Sequence, residues 1–247
     1  MIFPRLVNTT HKNPNFWYNL AMSKTMKMTR ERLAAMIDHT FLKAAGEADA
    51  VERLCKEVKR YHFACAMVNP SEVRTAVKLM GRRGGRVGTV VNFPLGQGSV
   101  SAAVAEAELA IAEGARDIDF VINVRKLKQG DAKELQRELA FWAATCRQPG
   151  VVSKLIIECC YLTDREKVKA CRMARKAGFD FVKTSTGFGT GGATVHDVAL
   201  MRRTVGPEMG VKAAGGIRTL ADALALVAAG ATRLGCSAGV EILKEFK

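Results

Sequence analysis

Eight short β-rich runs alternate with eight amphipathic helical runs from Thr29 onward, and no other feature of this chain restricts its fold as strongly. The β-rich runs are IDHTF (37–41), ACAMVN (64–69), RVGTVVN (86–92), DIDFVIN (117–123), VSKLIIE (152–158), DFVKTS (180–185), GVKAA (210–214) and TRLGC (232–236). Each is bounded by turn residues and followed by a helical pattern. Val51, Leu54, Cys55 and Val58 stand at i, i+3, i+4 and i+7, and Leu135, Leu139, Trp142 and Cys146 make a second such stripe, so both helices pack inward. Helix starts are marked too. Asn69-Pro70 supplies a cap and a first-turn proline, and Thr163 with Glu166 and Thr219 with Asp222 have capping-box spacing. Eight βα units in about 220 residues fit a closed (β/α)8 TIM barrel, whose parallel strands are apolar because helices cover them. An open doubly wound sheet is the alternative. The barrel is preferred because no GxGxxG follows the first run, and the glycine-rich turns follow the last three.

Composition fits a globular barrel. Of 247 residues, 48% are apolar and 25% charged, too apolar for a disordered chain, and 22 Gly with 6 Pro are too few for low complexity. The longest uncharged stretch, 87–105, is broken by Gly88, Pro94, Gly96 and Gly98, so no transmembrane helix is expected. Seven cysteines, two of them adjacent (Cys159, Cys160), sit in apolar segments and read as reduced, buried thiols of a cytoplasmic protein. The barrel is assigned to residues 29–247 and an N-terminal extension to 1–28. That extension carries Arg5, Lys12, Lys24 and Lys27, no acid, and the aromatics Phe3, Phe16, Trp17 and Tyr18. Its composition faintly resembles an organellar presequence without the Arg-rich amphipathic pattern, and Met22, Met26 and Met28 offer later starts. A mobile tail or mis-assigned start is the plainer reading, and a tail that packs on a partner subunit is the sharper one.

Reacting groups of such barrels come from the C-terminal ends of strands, which directs attention to charges inside apolar runs. Asp119, Lys183 and Lys212 are three of these. Strand alternation puts Phe181, Lys183 and Ser185 on one face, so Lys183 can point into the barrel mouth beside Lys212 of the neighbouring strand. Desolvation and a second cation both lower a lysine pKa, and a neutral amine is what Schiff-base chemistry requires. A single strand lysine is more simply a snorkelling or strand-end residue. Two on adjacent strands, with an aspartate on a third, favour function, since burying each charge costs several kcal/mol (order of magnitude). Asp119 would shuttle protons, or else serve as a strand-end cap or a salt-bridge partner of Lys212. Three glycine-rich turns follow: STGFGTGGAT (185–194), AAGGIR (213–218) and LGCSAG (234–239). Each alone is an ordinary βα turn. Three in succession on one side predict a phosphate site.

The motifs IDHTFLK (37–43), VNFPLG (91–96), EGARDIDFVIN (113–123), KLIIECCYLTD (154–164), FVKTSTGFGTGGAT (181–194) and VKAAGGIRT (211–219) occur in one order across the barrel. In them the chain from about Met28 resembles the deoxyribose-phosphate aldolase family, the Schiff-base aldolases of the DeoC type. The resemblance implies a metal-free lyase, without cofactor, that reversibly splits 2-deoxy-D-ribose 5-phosphate into D-glyceraldehyde 3-phosphate and acetaldehyde. It implies that Lys183 forms the imine, Lys212 perturbs its pKa and Asp119 relays protons. It places Asp38 in the relay or against substrate, where a turn-capping Asp is the simpler role. Thr186, Gly187, Gly215, Gly216, Gly235 and Ser237 match substrate- and phosphate-contacting positions. Met67 and Cys159 depart from the commonest pattern, standing where Cys and Thr are frequent. The resemblance also suggests a homodimer or homotetramer.

Rival readings are weaker. The four histidines (His11, His39, His62, His196) show no HxH or HxxxH pairing for a metal-dependent aldolase. A Schiff-base aldolase for another phosphorylated aldehyde is the nearer rival. The net charge of +14 invites a nucleic-acid partner through Lys56, Lys59, Arg60, Arg82, Arg83, Arg86, Lys169, Arg172, Arg175 and Lys176. These lie among acids such as Glu52, Glu57 and Glu166 on predicted outer helices without interleaved aromatics, so solvated helix faces account for them. The expected partner is a small sugar phosphate, with no nucleic acid and no membrane.

Overall fold

The computed structural model describes residues 28–82 and 84–246. The N-terminal segment with its aromatics, together with His11 and Arg83, lies outside the described residues. In chain order the elements are α1 (Arg30–Ala34), β1 (Ile37–Phe41), α2 (Ala50–Tyr61), β2 (Cys65–Val68), α3 (Val73–Met80), β3 (Arg86–Val91), α4 (Val100–Ala112) and β4 (Asp117–Val121). There follow α5 (Val124–Gln129), α6 (Ala132–Thr145), β5 (Val152–Ile156), α7 (Asp164–Ala177), β6 (Phe181–Lys183) and α8 (Val195–Val205). The chain closes with β7 (Gly210–Ala214), α9 (Leu220–Ala228), β8 (Arg233–Cys236) and α10 (Gly239–Lys244). The strands pair in sequence order, all parallel, and β1 pairs β8 through Ile37–Leu234, Asp38–Gly235 and His39–Cys236, which closes a (β/α)8 barrel.

Strand alternation divides the core in two. Residues such as Ile118 and Phe120 of β4, Leu155 of β5, Val182 of β6 and Val211 of β7 face the helices and join the main apolar core. Phe120 stacks on Trp142 of α6 at a centroid distance of 5.6 Å and meets Phe179 edge-on at 5.9 Å. The interior is different. On the β2–β3 side a small apolar cluster of Leu42, Cys65, Met67 and Val90, with Phe93 against it, fills the barrel. The opposite side is filled by charged side chains.

Both helical stripes read from the sequence face inward: Leu54, Cys55 and Val58 on α2, and Leu135, Leu139 and Trp142 on α6, are buried. Both capping boxes form, Thr163 with Glu166 and Thr219 with Asp222. Asn69 is a correction. Its side chain caps nothing: its carbonyl accepts Glu72 N–H at 3.0 Å in a 3-10 turn over Pro70–Glu72, and its amide reaches the Lys43 carbonyl at 3.5 Å. The regular pattern of one helix per strand is broken after β4. There Asn123 caps α5, and Gly130 ends it at φ +89°, a left-handed conformation that suits glycine, before α6 begins. Most strands are shorter than their apolar runs. β6 stops at Lys183 because the chain then turns toward the barrel mouth, although Thr184 N–H still donates to the Lys212 carbonyl at 3.0 Å. Among the described residues no helix is long and apolar enough to cross a membrane. All seven cysteines are free thiols.

Adjacent residues of α6 give a direct test of this packing, since Trp142 is 1% exposed and Phe141 63%. Trp142→Ala is expected to lower unfolding stability by about 3–5 kcal/mol, and Phe141→Ala by less than about 0.5 kcal/mol, in urea denaturation.

Candidate active site

The charged half of the barrel interior is built by period-two alternation. Asp38 (β1), Arg86 (β3), Asp117 and Asp119 (β4), Lys154 (β5), Lys183 (β6), Lys212 (β7) and Arg233 (β8) converge there through the ion pairs that follow. The β6–β7 register sets Lys183 directly beside Lys212. Three carboxylates thus meet five cationic side chains, and Asp38, Asp119, Lys154 and Lys212 are completely buried.

Asp119 is the shared element. Its Oδ2 accepts a hydrogen bond from Lys183 Nζ at 2.8 Å and another from Lys212 Nζ at 2.8 Å. Lys154 Nζ lies 3.0 Å from its other oxygen, Oδ1. Burial alone would raise the Asp119 carboxyl, but Lys154, Lys183 and Lys212 outweigh it and hold the group well below the usual carboxylate range. Lys212 also donates to Asp38 Oδ2 at 2.5 Å, while Arg233 donates to Asp38 Oδ1 at 2.8 Å. Asp38 is therefore no turn cap; it is a buried counter-ion reached because β8 closes onto β1. Its carboxyl too lies below its ordinary value, burial being overcome by Lys212 and Arg233.

The lysines are not equivalent. Lys154 donates to Asp117 Oδ1 at 2.6 Å and also faces Asp119, so the carboxylates overcome its burial and raise its pKa. Lys183 has one oxygen, shared with Lys212. Burial lowers its pKa, Asp119 opposes the shift and Lys212 adds to it, and the result is about 8. The Lys183 ammonium therefore discharges far more readily than an ordinary lysine.

The glycine turns gather at the same end of the barrel. Ala193 N–H donates to the Gly215 carbonyl at 3.0 Å, lacing the turn after β6 to the turn after β7. A side chain at Gly192 would collide with that carbonyl, at 2.2 Å. Gly187, Gly215 and Gly216 adopt φ of +89°, +88° and +78°. Thr186 is buried, and Ser237 is exposed just beyond β8. Gly235 is placed differently from the sequence reading: it belongs to β8 rather than to a turn, and a Cβ there would lie 3.0 Å from Lys212 Cε. Its missing side chain makes room for Lys212.

Arg86 is a correction: it lies on β3 rather than on an outer helix, and it pairs with Asp117 at 2.5 Å. Four further participants escaped the sequence reading. Lys154, Asp117 and Arg233 satisfy the same criterion of a charge in an apolar run, but their importance comes from partners on other strands. Glu158 is the fourth. It is buried at φ +53°, and its carboxylate accepts hydrogen bonds from Thr186 N–H (3.2 Å) and Thr186 Oγ1, pinning the turn after β6. A left-handed, buried acid at a strand end is a strained position of the kind found at functional sites. Across the mouth, Phe93 and Phe188 meet edge-on at 5.2 Å.

Two groups of potential metal ligands occur among the described residues, and neither fits an ion. In Asp38, Cys65 and Asp117 the carboxylates already carry Lys212, Arg233, Lys154 and Arg86, and burial raises the Cys65 thiol well above its ordinary value. In Asp164, His196 and Asp197, Lys167 Nζ lies 2.5 Å from Asp197 and 3.2 Å from Asp164. His39 is held by Glu57 at 2.7 Å. The geometry is that of an amine nucleophile with a carboxylate and a second cation in contact.

Known proteins share this chain's sequence and fold. The family model described as DeoC/LacD family aldolase matches residues 32–245. A deoxyribose-phosphate aldolase from Bacteroides thetaiotaomicron is 55% identical over 217 residues, covering 88% of this chain and 91% of the relative. One from Carboxydothermus hydrogenoformans is 51% identical over 215 residues, 86% of this chain and 94% of the relative. The solved structure of the Aeropyrum pernix deoxyribose phosphate aldolase, described as tetrameric, superposes with a TM-score of 0.82 at 32% identity, covering 88% and 92% of the two chains. With this match spanning the barrel and its charged interior, the chain belongs to the DeoC/LacD family of aldolases.

Proposed function

We propose that this protein is a deoxyribose-phosphate aldolase that cleaves 2-deoxy-D-ribose 5-phosphate reversibly through a Schiff base on Lys183. The carrying observation is the Lys183 amine, buried, lowered to about 8 and in contact with an ionised carboxylate that a second lysine also holds. Kinship with curated deoxyribose-phosphate aldolases supports the substrate.

The neutral Lys183 amine attacks the C1 aldehyde of the open-chain sugar. The carbinolamine loses water with proton transfers relayed by Asp119, whose ionised carboxylate accepts a proton and whose neighbour Lys212 can return one. The resulting iminium draws the electron pair of the C2–C3 bond as the C3 hydroxyl gives up its proton. Glyceraldehyde 3-phosphate leaves, and an enamine stays on Lys183. Protonation at the enamine carbon regenerates the iminium, and water releases acetaldehyde and the free amine. Burial, with Lys212 adding to it, lowers the Lys183 pKa, and Lys212 is itself held in place by Asp38.

The turns carrying Thr186, Gly187, Gly215, Gly216 and Ser237 are assigned to the phosphate, whose remote binding energy orients the sugar over Lys183. Gly235 contributes by admitting Lys212. The apolar side formed by Leu42, Met67, Val90 and Phe93 suits the two-carbon fragment. A cytoplasmic homodimer or homotetramer is the assembly we assign; seven free thiols and the tetrameric Aeropyrum pernix relative support it.

Three outcomes test this reading. Borohydride reduction in the presence of acetaldehyde is expected to leave one adduct, on Lys183 by peptide mapping. Lys183→Ala should abolish it, and EDTA should leave turnover unchanged; activity retained by Lys183→Ala overturns the assignment.

The second outcome is a pH profile. Because the lowered amine is reactive only when neutral, single-turnover trapping should rise about tenfold from pH 7 to pH 9 and level off above. A flat profile contradicts a nucleophile of that pKa.

The third concerns Lys154, which holds two buried carboxylates. Lys154→Met should cost about 3–5 kcal/mol in urea unfolding by leaving them uncompensated. The same change at Lys56, exposed and paired with Glu52, should leave the urea midpoint close to that of the unaltered chain.

A further inference from the structure

The outer face of the barrel concentrates positive charge at one place. α6 and α7 pack side by side, and a groove of about 1000 Å³ runs between them over Leu127, Val168 and Met173. The Gln136 amide donates to the Met173 carbonyl at 3.2 Å and ties the two helices together at its floor. Lys133 and Arg137 line one wall, and Arg165, Lys169, Arg172 and Lys176 line the other. Glu166 is the one acid among the lining residues, and it is taken up by Lys128 at 2.9 Å and by the Thr163 cap. The six wall cations form no ion pair among the described residues. Elsewhere on the surface Arg53, Lys56 and Arg74 each have a carboxylate partner, while Lys78, Arg203 and Lys244 stand apart without an ion pair among the described residues, so it is the clustering of six that is particular to the groove.

This arrangement works against the helices that carry it. Lys133 with Arg137, Arg165 with Lys169, and Arg172 with Lys176 are like charges one helical turn apart, which repel. Lys133 and Arg165 stand in the first turns of α6 and α7, where the helix dipole disfavours cations. Neither packing nor capping accounts for the pattern; an anionic ligand does.

We propose that the groove binds a linear inorganic polyphosphate chain. The α7 wall runs from Arg165 to Lys176, roughly 16 Å at about 1.5 Å per residue, and so suits an extended polyanion rather than a single phosphate. Two rows of Arg and Lys match phosphate oxygens on both sides of such a chain. No aromatic side chain lines the groove, so nucleic-acid bases would find no stacking platform. Leu127 and Met173 are buried in the floor, so neither offers an anchoring side chain to an acidic peptide. The site lies on the outer helices and stands independently of the reaction proposed for the barrel mouth.

The test is calorimetric titration of the full chain at physiological ionic strength with inorganic polyphosphate. A single-stranded oligothymidylate matched in phosphate number and a poly-glutamate matched in charge serve as comparisons. Polyphosphate is expected to bind at least about tenfold more tightly than either, with affinity falling steeply as salt rises. The triple variant Lys169→Glu, Arg172→Glu, Lys176→Glu should weaken binding by at least about tenfold and flatten the salt dependence. Equal net charge placed elsewhere, as Lys78→Glu, Arg203→Glu, Lys244→Glu, should change it less than about twofold. Should the triple reversal fail to fold by circular dichroism, the milder pair Lys169→Ala, Arg172→Ala replaces it with a smaller loss in the same direction. Absence of polyphosphate binding, an equal effect of both triple variants, or equal affinity for the oligonucleotide or the peptide overturns the proposal.

Discussion

The carboxylate of Asp119 is the interaction on which the rest of the site depends. It is fully buried, and its two oxygens are divided among three lysines: Oδ1 faces Lys154, and Oδ2 is shared by Lys183 and Lys212. A buried carboxylate with no cation would cost several kcal/mol (order of magnitude) and take up a proton instead. With three, it stays ionised, but its attraction is spread too thin to hold all three ammonium groups equally. Lys154 and Lys212 each have a second carboxylate, Asp117 and Asp38 respectively. Lys183 has none. Burial lowers the Lys183 pKa, and a carboxylate shared with Lys212 opposes that only in part, so the amine becomes available for imine formation.

Barrel closure makes this sharing possible. Asp119 and Lys183 sit on β4 and β6, two strands apart, and meet across β5 on the inward face of the sheet. The pair that steadies Lys212 is longer still, since Asp38 lies on the first strand and Arg233 on the last. An open sheet would leave β1 and β8 on opposite edges, and Asp38 would have neither partner. Lys212 would then lose its anchor, and the neighbouring cation that helps to lower the Lys183 pKa would be free to swing away. The closure of the fold and the reactivity of one amine are thus coupled through Asp38.

Local physics explains what the sequence revealed. Lys183, Lys212 and Asp119 stood out because a charge in an apolar strand is expensive, and period-two alternation aimed two of them at one mouth. The strands, the inward helix stripes of α2 and α6 and both capping boxes were legible for the same reason: each is decided within about four residues. Lys154 and Arg233 carry the same kind of signal but gain meaning only from anions 37 and 195 residues away in the chain, Asp117 and Asp38. Gly235 read as a turn residue because its flanking sequence is glycine-rich; only the path of the Lys212 side chain shows why a strand needs a glycine there. Glu158 could not be found at all from spacing, since its role depends on a left-handed backbone and a turn folded back onto it.

The net charge of +14 separates, in the structure, into two populations governed by different rules. Inside the barrel, desolvation requires that cations have buried counter-ions, and the surplus of five cations over Asp38, Asp117 and Asp119 is eased by the lowered pKa of Lys183. Outside, water screens each charge, so a surface lysine needs no partner and its presence alone means little. A cluster of cations on two adjoining helices is informative for another reason: mutual repulsion and the helix dipole both disfavour it, and no ion pair among the described residues offsets either. The interior excess is thereby explained by a reaction and the exterior one by a ligand, although both began as the same surplus of lysine and arginine in the chain.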